Sequence, residues 1–401
     1  MTKRRILFVD DDPNILAGIG RVLRSLRNDF DLQFAGSGRE ALEVMAGAEF
    51  AVVVSDMRMP GLDGADFLKM VQSLYPCTIR IMLTGQADED AILRTVGVVH
   101  QFLEKPSDPE ILKSVLLRAS ALHTLIADEN LKKIISSIES LPSLPEVYAR
   151  LQIALVRADT SVADVAAIIE EDMAMSAKVL QLVNSAFFGL FQSVDSPARA
   201  VGLLGLETIK GLVLGMQIFS EMKSKSKLFS LKKLWAHSMA VGACAKQIAL
   251  AETNNKAIID HSFIAGILHD VGQLVFASKM AASYDRVVTL ARQQEESLYD
   301  AEKAILAAGH DAVGAYLIGL WGLPSPVVEA IGFHHRVREY PDNSFNTVLA
   351  VHAANAIYYE QCPQDVVGMA PLLDYEYLEK LGLADRIDGW RQICAEIFNQ
   401  E

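Results

Sequence analysis

The sequence predicts a chain in two parts, α/β first and all-α after it, and three observations carry that prediction. Through the first hundred or so residues, five short apolar runs alternate with helix-period stretches. Beyond Pro106 no strand-like run recurs, only one helical pattern after another. The length of 401 residues exceeds one ordinary domain, and 51% apolar residues let each part bury its own core.

The five runs are ILFV (6–9), LQFA (32–35), AVVV (51–54), IRIML (79–83) and QFL (101–103). Between them, Ile15, Ile19, Val22, Leu23 and Leu26, and later Phe67, Leu68, Val71 and Leu74, recur at helical spacing. Apolar runs each followed by a helix predict a five-stranded, doubly wound parallel sheet covered on both faces. From Pro109 to about Ser140 one helical reading runs without glycine or proline, so the first domain is expected at 1–119 and a helical linker at 120–136. The second domain is then 137–401, with a core at about 137–340 and a helical extension at 341–401. Leu112, Leu116, Ala119 and Ile126 follow a rough heptad, which suits a homodimer through a helix at 112–138. The same residues suit a last helix plus linker equally well.

A net charge of −13 argues against a general nucleic-acid binder, since phosphates would be repelled. Basic residues cluster only at Lys3-Arg4-Arg5 and among the lysines of 223–233, and no short basic recognition helix follows a turn. Cys77, Cys244, Cys362 and Cys394 lie far apart without a CxxC pair, as expected of reduced thiols. The first apolar run ends at Val9 before three aspartates, so no signal peptide is expected. No stretch approaches the about 18 apolar residues of a membrane span. A soluble, cytoplasmic protein is the expectation.

In a parallel α/β sheet, ligands bind beyond the carboxyl ends of the strands. The polar residues there are Asp10, Asp11 and Asp12, then Asp56, Thr84 and Lys105. Clustered carboxylates invite a hard cation, above all Mg²⁺. Asp56 is then the nucleophile that takes a phosphoryl group as an acyl phosphate, Lys105 offsets charge on the transferred oxygens, and Thr84 hydrogen-bonds the product. One strand-end aspartate would be read as a helix cap; a set on successive strands asks for more.

ILFVDDDPNIL, VVVSDMRMPGLDG, IMLTGQAD and FLEKP together resemble the response-regulator receiver family over about residues 1–119. The resemblance implies that Asp10 and Asp11 are metal-side acids, that the backbone carbonyl of Arg58 completes the Mg²⁺ site, and that Asp56 is phosphorylated by a sensor histidine kinase. It also implies that Thr84 and Phe102 form a switch pair.

In the second domain, seven of the nine histidines fall between 237 and 352. Helical steps put His237 on the stripe Leu234, Val241, Cys244, Ile248, and Asp270 on Phe263, Ile267, Leu274, with His269 beside it. His310 joins Leu306, Val313 and Leu317; His334 and His335 follow Val327 and Ile331; His352 interrupts Phe345, Val348 and Tyr359. A single buried histidine is ordinarily a hydrogen-bonded core residue. Five helices each burying a polar residue point to one shared centre, in which a buried Asp270 requires a partner. Imidazoles with a bridging carboxylate suit Fe, Mn or Zn and make phosphoester hydrolysis conceivable.

LPSLPEVYARL, EDMAMSAKVLQLVNSAFFG, AVGLLGLETIKGLVLG, GILHDVGQL and IGFHHR closely resemble the HDOD family, signalling output domains related to HD phosphohydrolases, over roughly 137–340. Against the HD-GYP cyclic di-GMP phosphodiesterases, His237, His269, Asp270, His310, His334 and His335 fall where that family keeps metal ligands. Gln273 stands where a lysine follows the His-Asp pair, HHRVREYP lacks the acid and the glycine-tyrosine-proline turn, and His352 takes the place of a final metal-binding aspartate. The resemblance therefore implies a response regulator whose HDOD domain acts by protein–protein interaction on a downstream partner. The alternative is a phosphorylation-gated, metal-dependent phosphohydrolase acting on a nucleotide or cyclic dinucleotide.

Overall fold

The computed structural model describes residues 3–84, 95, 98–105, 109–110, 112–117, 146–156, 160–184, 194–365 and 367–398. The expected linker at 120–136, the heptad positions Ala119 and Ile126, the opening LPSLP and nearly all of NSAFFG lie outside the described residues. By contact the chain divides into two compact units, one of residues 1–160 with 319–322, the other of 161–318 with 323–401.

In the first unit, β1 (Arg4–Val9), β2 (Phe30–Ala35), β3 (Val52–Asp56), β4 (Ile79–Thr84) and β5 (Gln101–Glu104) form one sheet in the order β2-β1-β3-β4-β5. Every pairing is parallel. The five strands fall on the five apolar runs because only side chains buried on both faces tolerate uninterrupted Val, Ile and Leu, and Ile6, Leu7, Val52, Val53, Val54, Ile79 and Ile81 are fully buried. The helices that follow β1, β2 and β3 each start on a side-chain cap. Asp12 accepts the Asn14 N–H at the head of α1 (Pro13–Val22), Ser37 that of Glu40 in α2 (Gly38–Ala46), and Asp63 that of Asp66 in α3 (Gly64–Leu74). The periodic stretch that reads as helix through Leu26 leaves α-geometry at Leu23 and finishes as a 3-10 helix, Leu23–Asn28. A further helix, α4 (Glu146–Val156), groups with this unit.

The second unit is helical. It begins with α5 (Val162–Glu171), α6 (Met173–Val183), α7 (Pro197–Leu204) and α8 (Leu206–Glu221), and continues with the long α9 (Leu231–Glu252) and α10 (Lys256–Leu268). Then come α11 (Val271–Lys279), α12 (Ala281–Gln294), α13 (Leu298–Leu306), α14 (His310–Leu320), α15 (Ser325–Phe333), α16 (Thr347–Gln361), α17 (Tyr375–Lys380) and α18 (Ile387–Phe398). Helix α16 is buried on all sides from Thr347 through Tyr358, so it is a core helix rather than an amphipathic one. Helices α9 and α10 cross where a Cβ on Gly266 would come within 2.6 Å of the Gly242 Cα. Only a glycine pair permits that approach, and it draws His237 of α9 toward His269 beyond the end of α10.

Two of the apolar stripes expected to be continuous are broken. The Phe263–Leu274 stripe is interrupted at His269 and Asp270, which separate α10 from α11. The Leu306-His310 pair straddles a break in which Ala307 adopts φ 65°, so His310 opens α14 instead of extending α13. Helical periodicity survives a break of a few residues, which is why the stripes read through it.

Candidate functional site

At the carboxyl edge of the sheet, Asp10 follows β1, Asp56 ends β3, Thr84 ends β4 and Lys105 follows β5. The Lys105 ammonium lies 2.6 Å from Asp10 Oδ2 and 2.6 Å from Asp56 Oδ1, bridging the two carboxylates. Burial raises the Asp56 pKa, against the lowering effect of its hydrogen bond and charge interaction with Lys105. Burial disfavours the Lys105 charge, but its two carboxylates outweigh that and raise its pKa. Oxygens of Asp10, Asp11 and Asp56 lie within 4.8 Å of one another, a set of hard donors that fits Mg²⁺. Asp12 is a helix cap instead, its N–H held by Asp10 Oδ1 at 2.9 Å. Arg58 enters through its backbone N–H, which donates to Asp56 Oδ2 at 3.2 Å. Thr84 and Phe102 are both buried, and the Thr84 hydroxyl donates to the Leu103 carbonyl at 3.5 Å. Pairing of Met82 with Phe102 and Thr84 with Glu104 makes Thr84 and Phe102 diagonal neighbours on one face.

In the helical unit the structure draws His237, His269, Asp270, His310, His334 and His335 into one buried cluster around the Asp270 carboxylate. Asp270 Oδ1 lies 3.0 Å from His310 Nε2 and 3.8 Å from His334 Nε2. Its other oxygen, Oδ2, lies 3.4 Å from His237 Nε2 and 3.5 Å from His269 Nε2. His335 Nε2 approaches His310 Nε2 at 3.0 Å. Two overlapping ligand groups result, Asp270 with His310, His334 and His335, and Asp270 with His237 and His269. Helix ends do the aiming: His269, Asp270, His310 and His334 all sit at the ends of helices, and a Cβ on Gly272 would lie 2.0 Å from the His310 carbonyl oxygen.

The donor set fits a metal. His269 and His334 give their Nδ1–H groups to the Gly266 and Ile331 carbonyls, each at 2.7 Å, so their Nε2 lone pairs face the centre. Burial, reinforced by neighbouring imidazoles, lowers the His269 pKa to about 4 and holds His334 and His335 well below the usual histidine range. The Asp270 carboxyl is held well below its usual range because the surrounding histidines outweigh its burial. His310 is raised: burial opposes its charge, but the Glu302 and Asp270 carboxylates prevail. Among the described residues, Asp270 Oδ1 makes no aligned hydrogen bond and His237 Nδ1 has no partner. Converging lone pairs around an incompletely satisfied carboxylate are the electrostatic complement of a cation, and N/O donors of this kind suit Fe, Mn or Zn.

His352 stands apart from both ligand groups. Its Nδ1 pairs with the His334 carbonyl at 2.8 Å and its Nε2 accepts the Asp374 N–H at 3.2 Å, so both ring nitrogens are engaged by backbone. Gln273, in the position where the related hydrolases keep lysine, is a buried neutral amide whose Oε1 accepts the Tyr284 hydroxyl at 3.2 Å. Sequence reasoning missed Glu302, which is fully buried and bonded to His310, and Tyr299, whose ring stacks on His335 at 4.7 Å. Glu302 shares a helical face with Leu306, but that spacing carries no signal of its contact with His310. A cavity of about 590 Å³ opens over the cluster, and Lys233, Arg292, Tyr299 and Tyr359 contribute to its walls.

The response regulator receiver domain matches residues 6–117, and the HDOD domain matches residues 141–337. An uncharacterized protein of Treponema pallidum (strain Nichols) is 28% identical over 238 residues, 57% of this chain and 46% of that protein. The transcriptional regulatory protein GlrR of Escherichia coli (strain K12) is 35% identical over 108 residues, 27% of this chain and 24% of that protein. The chain thus spans less than half the length of these curated relatives. The crystal structure of an HDOD domain protein of unknown function from Geobacter sulfurreducens superimposes with TM-score 0.55 at 26% identity, covering 68% of this chain and 93% of that one. Among the described residues no helix is long and apolar enough to cross a membrane. The chain carries a response regulator receiver domain at residues 6–117 and an HDOD domain at residues 141–337.

Proposed function

We propose that the chain is a two-component response regulator in which a histidine kinase phosphorylates Asp56 and the HDOD domain carries the output through contact with a downstream protein. The observation that carries this reading is the Lys105 bridge between Asp10 and Asp56, with Asp11 close enough to share a cation with both carboxylates. Asp56 supplies the attacking oxygen, and Lys105 is placed to offset charge on the incoming phosphoryl oxygens. Bound Mg²⁺, held by Asp10, Asp11 and Asp56, would supply further charge neutralisation. Thr84 and Phe102, neighbours on one face of β4 and β5, are suited to respond together. The test is incubation of the full chain with Mg²⁺ and acetyl phosphate, read by intact mass. One added phosphoryl group that Asp56→Asn abolishes is the expected result; an unmodified wild-type chain would contradict it.

The Asp270 cluster favours a second reading, a metal-dependent phosphohydrolase whose activity follows the receiver's state. Five imidazoles and one bridging carboxylate beneath an open cavity suit a pair of metal ions, which would polarise a phosphoester. Gln273 counts against it, because a neutral amide at that position offers no charge to a phosphate. Metal analysis of the purified chain, with turnover of cyclic di-GMP and of a generic phosphodiester, separates the readings. Turnover that His269→Ala abolishes would establish the enzyme; bound metal without turnover would leave a centre inside an interaction domain.

A further inference from the structure

The two halves of the Asp270 cluster are built unequally. In each half one imidazole, His269 in one and His334 in the other, gives its Nδ1–H to a neutral backbone carbonyl. His310 does not. Its Nδ1 lies 2.6 Å from Glu302 Oε2, and the same oxygen accepts the His310 backbone N–H at 2.7 Å. Glu302 is fully buried, and its second oxygen, Oε1, has no hydrogen-bond partner among the described residues. A carboxylate taken that far from water is costly, and a generic core would not keep one. Holding His310 by its ring and backbone N–H groups together fixes its tautomer and rotation and leaves Nε2 on the side of the centre, 3.0 Å from Asp270 Oδ1. A carboxylate behind an imidazole also makes the far nitrogen a stronger donor than a carbonyl does.

We propose that Glu302 is a positioning residue for His310, and that it makes the half formed by Asp270, His310, His334 and His335 the tighter of two metal seats. The half formed by Asp270, His237 and His269 has one imidazole fewer and, among the described residues, no buried acid behind it, and fills second. This inference rests on the metal-centre reading of the cluster.

The experiment is calorimetric titration of the metal-stripped full chain with Mn²⁺ alone, for wild type, Glu302→Gln, Glu302→Asp and His269→Ala. Glutamine keeps an acceptor for both N–H groups but removes the carboxylate. Wild type is expected to show two unequal sites. Glu302→Gln should weaken the tighter one by about 10- to 100-fold and leave the weaker one unchanged, Glu302→Asp should restore much of the loss, and His269→Ala should abolish only the weaker site. A Glu302→Gln titration that matches wild type, or a His269→Ala chain that loses the tighter site, would overturn the inference while leaving the metal centre standing. A wild-type chain that binds no Mn²⁺ would overturn both. Should Glu302→Gln fail to fold, the His269→Ala titration still decides the ranking of the two seats.

Discussion

Asp270 and His310 meet at 3.0 Å across a break between helices, the carboxylate from the start of α11 and the imidazole from the start of α14. Neither residue lies within a regular helical face. Both are directed inward by helix ends, where a side chain is freed from the helical repeat and backbone groups are free to hold it.

Removing the charge at Asp270 leaves five imidazoles without their shared partner. Asp270→Asn should abolish metal uptake by both ligand groups. In metal-free protein it should cost about 3–5 kcal/mol of stability, the range for breaking a buried ion pair. Urea unfolding of both chains at pH 7 measures this, and a change below about 1 kcal/mol would mean the carboxylate is not holding the histidines together.

Gly272 allows the His310 backbone to approach. A Cβ there would lie 2.0 Å from the His310 carbonyl oxygen, backbone that cannot rotate away. Gly272→Ala should destabilise the metal-free chain by about 1–3 kcal/mol and weaken Mn²⁺ binding at the His310 side. Thermal melts with and without metal report both effects.

Acidification should destabilise the metal-free chain. His100, His269, His334 and His335 all have native pKa values lowered by burial, His269 to about 4. An unfolded histidine titrates near about 6.5. Above about pH 7 both states are neutral and these residues add nothing to the pH dependence. Below about 6.5 the unfolded chain takes up protons that the native chain refuses, so stability falls by up to about 1.4 kcal/mol per pH unit for each histidine. His310 has a raised native pKa and works in the other direction. Its stabilisation is complete below about pH 6.5 and fades as pH rises through the native value, so it adds nothing further to offset the acid loss. Urea midpoints at pH 7.5, 6 and 5 should decline in order; a flat series would contradict this.

Lys105→Met should leave Asp10 and Asp56 without the ammonium that bridges them. Phosphoryl transfer from acetyl phosphate should slow by about 10²-fold, the scale of losing one preorganised charge donor. A rate within a few-fold of wild type would remove Lys105 from the reaction.

The sheet was legible because parallel strands buried on both faces must be near-continuous apolar runs, and the five in the sequence coincide with the five strands. The strand-end residues could be named for the same reason, since a strand's end fixes where the next polar residue emerges. The helical half was legible as helices and less so as a site. Periodicity ran through the breaks at Ala307 and at His269-Asp270, so residues that sit at helix ends were read as interruptions of helical faces. His352 occupies a buried face of α16, as its spacing implies, yet spacing says nothing about which backbone groups would take its nitrogens. Glu302 was invisible for a similar reason: its meaning lies in a contact with His310 across the turn, not in the pattern of its own helix.

The most direct test of the proposed response regulator is hydrogen exchange of the full chain, with and without acetyl phosphate and Mg²⁺, alongside Asp56→Asn. The account predicts altered protection in helices of the 161–398 region on phosphorylation, and no change there in Asp56→Asn. Phosphorylated wild type whose HDOD helices exchange as they do in the unmodified chain would contradict it.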